Sequence, residues 1–296
     1  MKDRNKLRGS LILLGTALIW GCAFAFQSMA SETIGPWLFN GSRFLLGGIE
    51  IMILTPVLEK LTGEAPDGNT EGLYKAGILA GLVLLGASLL QQAGIHYTTA
   101  GKAGFITSLY VVMVPVAGVL FLNQKVSRPV VIAVCLAIVA LYLLSKPEAG
   151  SLNKGDVLEF LCAMAFTVHL YVLGHFAGKV PAIRFSAIQF LTAGLIGLFG
   201  AFLFETVSLE GLKAAAIPVL YAGLASAGLG YTLQLLGQRD ADPAVASVIL
   251  SLESVFSVLF GFLLLHEVLS ARELIGCALM FAAVLISQKE DTAETG

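Results

Sequence analysis

Charge is scarce in this sequence. Asp, Glu, Lys and Arg together make up 13% of its 296 residues, against roughly 25% in an ordinary soluble domain. A chain with so little charge cannot turn a polar face to water on every side, so much of its surface must face lipid. The charges also nearly cancel, 18 basic against 20 acidic, and no basic face for nucleic acid is expected. Cysteine is scarce as well. Cys22, Cys135, Cys162 and Cys277 lie in apolar stretches without metal-ligand spacing, and they read as small buried residues rather than disulfide partners or ligands. There is no nucleophile motif, phosphate-binding glycine loop, HExxH or His/Asp metal cluster. No enzyme activity and no cofactor are therefore expected, and the chain carries no ATP-binding unit to drive it.

What is abundant is apolar: 57% of the residues, together with 32 glycines, a residue more frequent in membrane helices than in soluble ones. A spanning helix needs about 20 largely apolar residues. Runs of that kind sit near 10–29, 37–58, 74–94, 103–122, 128–145, 156–175, 183–204, 214–236, 244–265 and 271–288. The predicted fold is an all-α membrane protein of ten transmembrane helices. The first run follows a basic segment, "MKDRNKLRG", as a signal peptide would, but it is too long for one and more runs follow. Ser270 with Glu273 predicts a capping box at the last span, and Ser127 with Pro129 opens the fifth similarly. With the N-terminus inside, twelve Lys and Arg fall in inner segments and five (Lys102, Lys146, Lys154, Lys213, Arg272) in outer loops. That bias predicts both termini in the cytoplasm, and a multi-pass protein of the cell inner (plasma) membrane is expected.

The halves match each other. A shift of 143 aligns "LLQQAGIHYTTA" (89–100) with "TLQLLGQRDADP" (232–243), so that Gln91 meets Gln234 and Gly94 meets Gly237. The same shift pairs Ser108–Leu109 with Ser251–Leu252, Gly118 with Gly261 and Ser127 with Ser270. A shift of 146 pairs Gly9 with Gly155, Phe44–Leu45 with Phe190–Leu191 and Gly48 with Gly194. The chain therefore divides into repeats at 1–147 and 152–290. Five spans per half is an odd number, so the second half enters the membrane from the opposite side. Inverted repeats suit a transporter, whose halves rock about a central site.

Glu253 stands in "SVILSLESVFSVLFGFLLL" (247–265), a segment with no other charge. A carboxylate at that depth faces the bundle interior or a water-filled cavity. Its repeat mate is Tyr110, which puts a donor and an acceptor across the pseudo-axis; substrate or proton contact and a structural carboxylate are both open readings. Arg43 and Glu50, seven residues apart in span two, share a helical face, with Arg43 nearer the outer end where it could snorkel. One arginine with two carboxylates leaves an odd negative charge, which protonation would neutralise. That is a route to proton coupling; a structural pair of Arg43 with Glu50 or Glu253, and a simple uniporter, stay open beside it. Gln91 and Gln234 end small-residue seams, Ala80–Leu84–Ala87 and Gly223–Ala227–Gly230, where interhelical bonding competes with ligand contact. His169, near Tyr171, is either a neutral core histidine or a titrating contact. Trp20 lies too deep for an interfacial belt and could wall or gate a cavity, and Tyr231 and Gln189 are further candidates.

These residues also resemble a known family. "LIWGCAFAF" in span one, "GKAGFITSLYVVMVPVAGVLF" in span four and "LSLESVFSVLFGFLLLHEVLSARELIGCALMFAAVLI" across spans nine and ten are similar to EamA-type drug/metabolite transporters, over nearly the whole chain. The resemblance implies a bundle of two inverted five-helix repeats that moves small metabolites, often amino acids and usually outward, with spans three, four, eight and nine around the cavity. Glu267 resembles a structural loop glutamate of that family. Where such chains often carry Pro after the span-nine glutamate, this one has Ser254, and an unkinked span nine is expected. A small-molecule substrate and the lipid bilayer are the implied partners, with monomer and homodimer both open. A nucleotide-sugar or other phosphorylated-metabolite carrier is the rival within transport, but it would want several cavity cations and only Arg43 is available. A membrane-embedded enzyme or a scaffold subunit is the rival from another class.

Overall fold

A computed structural model describes residues 2–63, 72–97, 100–144, 153–241, 243–265 and 270–287. Lys146, Glu267, Lys289 and the repeat boundaries at 147, 152 and 290 lie outside the described residues, as does the Lys102 side chain. The described residues are helical with short connections and form no strand. In chain order the helices are α1 (Lys2–Ser31), α2 (Pro36–Thr62), α3 (Leu73–Ile95), α4 (Ala100–Thr107), α5 (Tyr110–Leu122), α6 (Arg128–Leu144), α7 (Lys154–Phe176) and α8 (Ala182–Phe204). They continue as α9 (Leu209–Ala214), α10 (Ala216–Leu220), a π-helical segment Tyr221–Tyr231, α11 (Thr232–Gln238), α12 (Pro243–Leu250), α13 (Glu253–Leu265) and α14 (Ala271–Ser287).

Among the described residues, seven helical stretches are long and apolar enough to cross a membrane; the expected number was ten. The difference has a composition behind it. α2 carries Asn40, Arg43, Glu50 and Glu59 in its 27 residues, while α6 and α14 are described over only 17 residues each. Burial nonetheless runs as lipid demands. Phe121 is 79% exposed and Phe202 72%, whereas Arg43 is 2% exposed and Gln189, Glu159 and His169 are fully buried. Apolar residues face outward and polar ones inward, as expected where hydrocarbon rather than water is outside.

Local chemistry sets the helix ends. Pro36 at the first turn of α2 suits a position with no hydrogen-bond obligation, and the next amides, of Trp37 and Leu38, donate to the Glu205 carboxylate at 2.8 and 2.9 Å. Gly63 ends α2 at φ 70°, where its amide bonds the Glu59 carbonyl, a left-handed cap that favours glycine. Asn153 and Asp156 form a reciprocal capping box at α7. Ser270 and Glu273 form the expected one at α14, with the Ser270 amide 2.8 Å from the carboxylate. Cysteine departs from expectation. Cys22 and Cys162 are buried, but Cys135 is exposed and Cys277 only partly covered, and all four are free thiols. A weakly polar thiol carries little penalty on a surface facing lipid.

α2 and α8 pack along a glycine seam. A Cβ at Gly48 would lie 2.9 Å from the Leu191 amide nitrogen, and one at Gly194 would lie 2.5 Å from that of Leu45. Gly41 meets Gly197 and Leu198 in the same way, at 2.5 Å from the Leu198 nitrogen. Partners fall in number on α8 as they rise on α2, so the two helices run antiparallel. Gly48 with Gly194 and Leu45 with Leu191 are related by the 146-residue shift, so each contact is the reciprocal of the other. That reciprocity is what a two-fold axis between equivalent patches produces.

Candidate central cavity

Two interrupted spans bring the central residues together, and both interruptions are built alike. The Leu109 amide donates to the Ile106 carbonyl, and the Leu252 amide to that of Ile249, each at 3.1 Å. Val111 donates to Ser108 at 3.1 Å and Ser254 to Ser251 at 3.2 Å. Each member of the second set lies 143 residues after its counterpart. Bonds of i→i−3 spacing tighten one turn into 3₁₀ form at the same point of each half.

The continuous spans expected at 103–122 and 244–265 are therefore divided, and the absence of proline at Ser254 does not straighten the second. Ser251 Oγ donates to the Val248 carbonyl at 2.7 Å and Ser254 Oγ to that of Ser251 at 2.6 Å, competing with the helix ladder.

The first residues beyond the two breaks are Tyr110 and Glu253. The Tyr110 hydroxyl donates to Glu253 Oε1 at 2.9 Å, across 143 residues of sequence. A second pair of repeat mates, Phe44 and Phe190, stack with ring centroids 6.2 Å apart and planes 2° from parallel. Residues that meet their own equivalents mark the pseudo-axis, which passes through both pairs.

Around Tyr110 and Glu253 lies a cavity of about 40 Å³ available to water centres, room for a few waters. α1 contributes Trp20 and Gln27, α2 Arg43, α3 Gln91, α4 Thr107, the π-helical segment Ser226 and Tyr231, and α11 Gln234. The Trp20 indole donates to the Ser226 carbonyl at 3.2 Å, and its ring lies 4.5 Å from that of Tyr231. Arg43 is wholly buried rather than snorkelling: Nε donates to Asn40 Oδ1 at 2.9 Å, and the guanidinium lies 4.5 Å from the Phe44 ring. No ion pair joins it to Glu50 or Glu253 among the described residues; Arg184 and Glu59 pair elsewhere, at 2.7 Å. Arg43 Nη2, Gln27 Oε1 and Gln234 Oε1 are buried without hydrogen-bond partners. The site thus offers one cation, one carboxylate, spare amide oxygens and an aromatic wall.

Seven of the ten candidates from the sequence line this space: Trp20, Arg43, Gln91, Tyr110, Tyr231, Gln234 and Glu253. The other three, Glu50, His169 and Gln189, do not line it. His169 Nε2 lies 3.3 Å from Gln189 Oε1, with the imidazole edge-on to Tyr231 at 5.9 Å. Gln189 is the repeat mate of Arg43, so the halves differ by a charge at this position. Tyr171 faces elsewhere, its hydroxyl on the Val114 carbonyl at 2.7 Å. Glu50 packs its Oε2 against Gly228, where any side chain would collide with it. Gly223 and Gly228 let α2 approach: a Cβ at Gly47 would lie 2.8 Å from the Gly223 carbonyl. π-helical turns of this kind recur at functional sites.

Sequence reading passed over Thr107, Gln27, Ser226 and, above all, Glu159. The span ionisable set of Arg43, Glu50 and Glu253 was incomplete, because Glu159 lies inside span six, fully buried. The signal available was Gly94, aligned with Gly237. In this fold Gly94 faces Glu159 and Gly237 faces Leu13, at 2.5 and 2.7 Å from a notional Cβ.

An all-helical membrane bundle with a polar, pseudo-symmetric centre defines the class, and comparison with known proteins narrows it. The profile described as the EamA-like transporter family matches twice, at residues 7–146 and 153–288, and the chain belongs to that family. An uncharacterized transporter of Archaeoglobus fulgidus is 29% identical over 282 residues, covering 95% of this chain and 86% of that protein. The uncharacterized transporter YoaV of Bacillus subtilis is 21% identical, covering 93% and 94%. Protein PecM of Dickeya dadantii is 28% identical over 196 residues, 64% of each chain. A solved crystal structure superposes with a TM-score of 0.77 over 95% of this chain and 96% of that one, at 17% identity, and shows a shared fold.

Proposed function

We propose that the protein is a secondary transporter that exports small metabolites such as amino acids by alternating access, coupled to protons. In this reading the chain spans the inner membrane ten times, as two inverted five-helix repeats with both termini in the cytoplasm. The observation that carries it is the contact of repeat mates, Tyr110 with Glu253 and Phe44 with Phe190, around a small cavity. A pseudo-two-fold axis between antiparallel α2 and α8 gives the two halves equivalent inward and outward arrangements. At about 40 Å³ the cavity admits a few waters. Any metabolite requires the halves to separate on one side or the other.

The charge pattern supports a zwitterionic substrate. Arg43 Nη2 has an unused donor for a carboxylate, Glu253 can receive an ammonium group, and Trp20 and Tyr231 offer a surface for a side chain. A single cation suits a phosphorylated substrate poorly. The test is uptake into proteoliposomes with a panel of radiolabelled amino acids, with and without an imposed pH gradient. Saturable uptake, driven above equilibrium by the gradient, is the expected result. Failure of every amino acid, with an amine or an organic anion moving instead, would refute the substrate class; equilibration without accumulation would leave a uniporter.

The orientation is tested separately. Single cysteines at positions 3 and 292, in a background lacking the four native thiols, should resist an impermeant maleimide in intact cells and react after permeabilisation. Reaction of either one in intact cells would put that terminus outside.

A further inference from the structure

We propose that Glu159 is a proton-binding site connected to the central cavity through Thr107. Glu159 lies on α7, fully buried, and its two oxygens have unequal surroundings. Oε2 accepts the Thr107 hydroxyl at 2.7 Å. Oε1 is buried without any hydrogen-bond partner, held against Gly94 of α3, where a notional Cβ would lie 2.5 Å away. An ionised carboxylate has about four acceptor sites, and leaving it one donor in a buried place is very costly. A neutral carboxylic acid needs far less: Oε2 serves as its carbonyl oxygen, and Oε1 is left to carry the proton.

The surroundings agree with a neutral acid. On α7 the nearest titratable groups are Asp156, which adds negative charge, and the buried Cys162. Cys162 in turn feels the charges of Glu253 of α13 and Arg43 of α2, and Arg43 is engaged with Asn40 and two aromatic rings. Lys154, at the start of α7, lies 4.7 Å over the Tyr97 ring at the end of α3. Among the described residues no cation pairs with Glu159.

Thr107 gives the site its connection. It is the last residue of α4 before the interruption, and it lines the cavity on one side while bonding Glu159 on the other. The hydroxyl therefore ties the proton site on α7 to the half-helix that leads to Tyr110 and Glu253. Loss of the proton turns Oε1 into an unpaired charged oxygen. Movement of α4 or entry of water would then relieve it, a coupling between protonation and the shape of the cavity. That coupling rests on the transporter reading above; the proton site itself does not.

Infrared spectroscopy of the purified protein in nanodiscs tests the site without a substrate. The spectrum of the wild type minus that of Glu159→Gln at neutral pH should contain the C=O stretch of a protonated carboxyl group. Thr107→Val should shift that band to higher frequency, as the hydrogen bond to it is lost, and Thr107→Ser should restore it. Carboxylate bands alone in the difference spectrum, or a band indifferent to Thr107→Val, would overturn the proposal. The coupling is read from proton flux in proteoliposomes containing a pH-sensitive dye, under an outward gradient of mixed amino acids. Glu159→Gln should slow that flux at least tenfold while retaining exchange of labelled for unlabelled amino acid. Equal flux in mutant and wild type would overturn the coupling. A wild type that moves no protons would overturn the proton step of the transport reading itself, with the infrared result still deciding the site.

Discussion

Replacing Glu253 by Gln is expected to reduce uptake ten- to hundredfold and to flatten its dependence on pH, with folded yield unchanged. Glutamine keeps the shape of the side chain and an oxygen for the Tyr110 hydroxyl, which bonds Oε1 at 2.9 Å, so the local structure should persist. What it removes is the charge. A hydrogen bond to a charged group contributes about 1.5–3 kcal/mol, and each 1.4 kcal/mol is about tenfold in binding. Tyr110→Phe is the partner experiment. It leaves the carboxylate but takes away its donor, and should weaken uptake less while shifting the pH profile. The double variant should fall short of the sum, since both changes act on one bond. Initial uptake rates across a pH series, normalised to monodisperse protein by size-exclusion fluorescence, provide the reading. Uptake by Glu253→Gln equal to that of the wild type at every pH would make the residue structural.

Much of this site was open to inspection before any fold was known, and particular residues show why. Glu253 was conspicuous because nothing near it in the chain is charged, and its equivalence to Tyr110 followed from an ordered series of matches 143 residues apart. Arg43 was visible for the same reason, but not its partner. Asn40 stands one helical turn before it, and only the fold shows Asn40 Oδ1 turned to the guanidinium. The interruptions at 108–109 and 251–252 escaped notice because a single 3₁₀ turn changes no composition, and neither carries a proline that would have announced it. Glu159 escaped for a different reason. Depth in a membrane is judged from the ends of an apolar run, and a residue early in the run reads as interfacial. The α3–α7 contact around Gly94 and Gly155 buries it instead: a Cβ at Gly155 would lie 2.7 Å from the Gly94 carbonyl.

Gly194→Ala should destabilise the protein sharply, and Gly86→Ala should not. A methyl group at Gly194 would lie 2.5 Å from the backbone nitrogen of Leu45 and 2.7 Å from its Cα. These are main-chain atoms of a packed helix, so no side chain can swing away, and α2 and α8 must separate. Overpacking of this kind costs about 1–3 kcal/mol, and van der Waals contact is much of what holds helices together in lipid. The reciprocal change, Gly48→Ala, meets the Leu191 nitrogen at 2.9 Å and should be milder. Gly86 of α3 has nothing within 4 Å of a notional Cβ. Alanine there removes backbone freedom from the unfolded chain without a clash, and should be neutral or stabilise by about 0.5–1 kcal/mol. Thermal midpoints of the three variants in one detergent provide the comparison, with the expected order Gly86→Ala highest, Gly48→Ala next and Gly194→Ala lowest. The seam lies beside the Phe44–Phe190 pair on the pseudo-axis, so whatever forces it open also shifts the halves about that axis. Gly194→Ala should therefore lower uptake further than its loss of folded protein explains. A Gly194→Ala midpoint equal to that of Gly86→Ala would mean that α2 and α8 do not meet closely in the membrane, and the two-fold contact between the halves would fall with it.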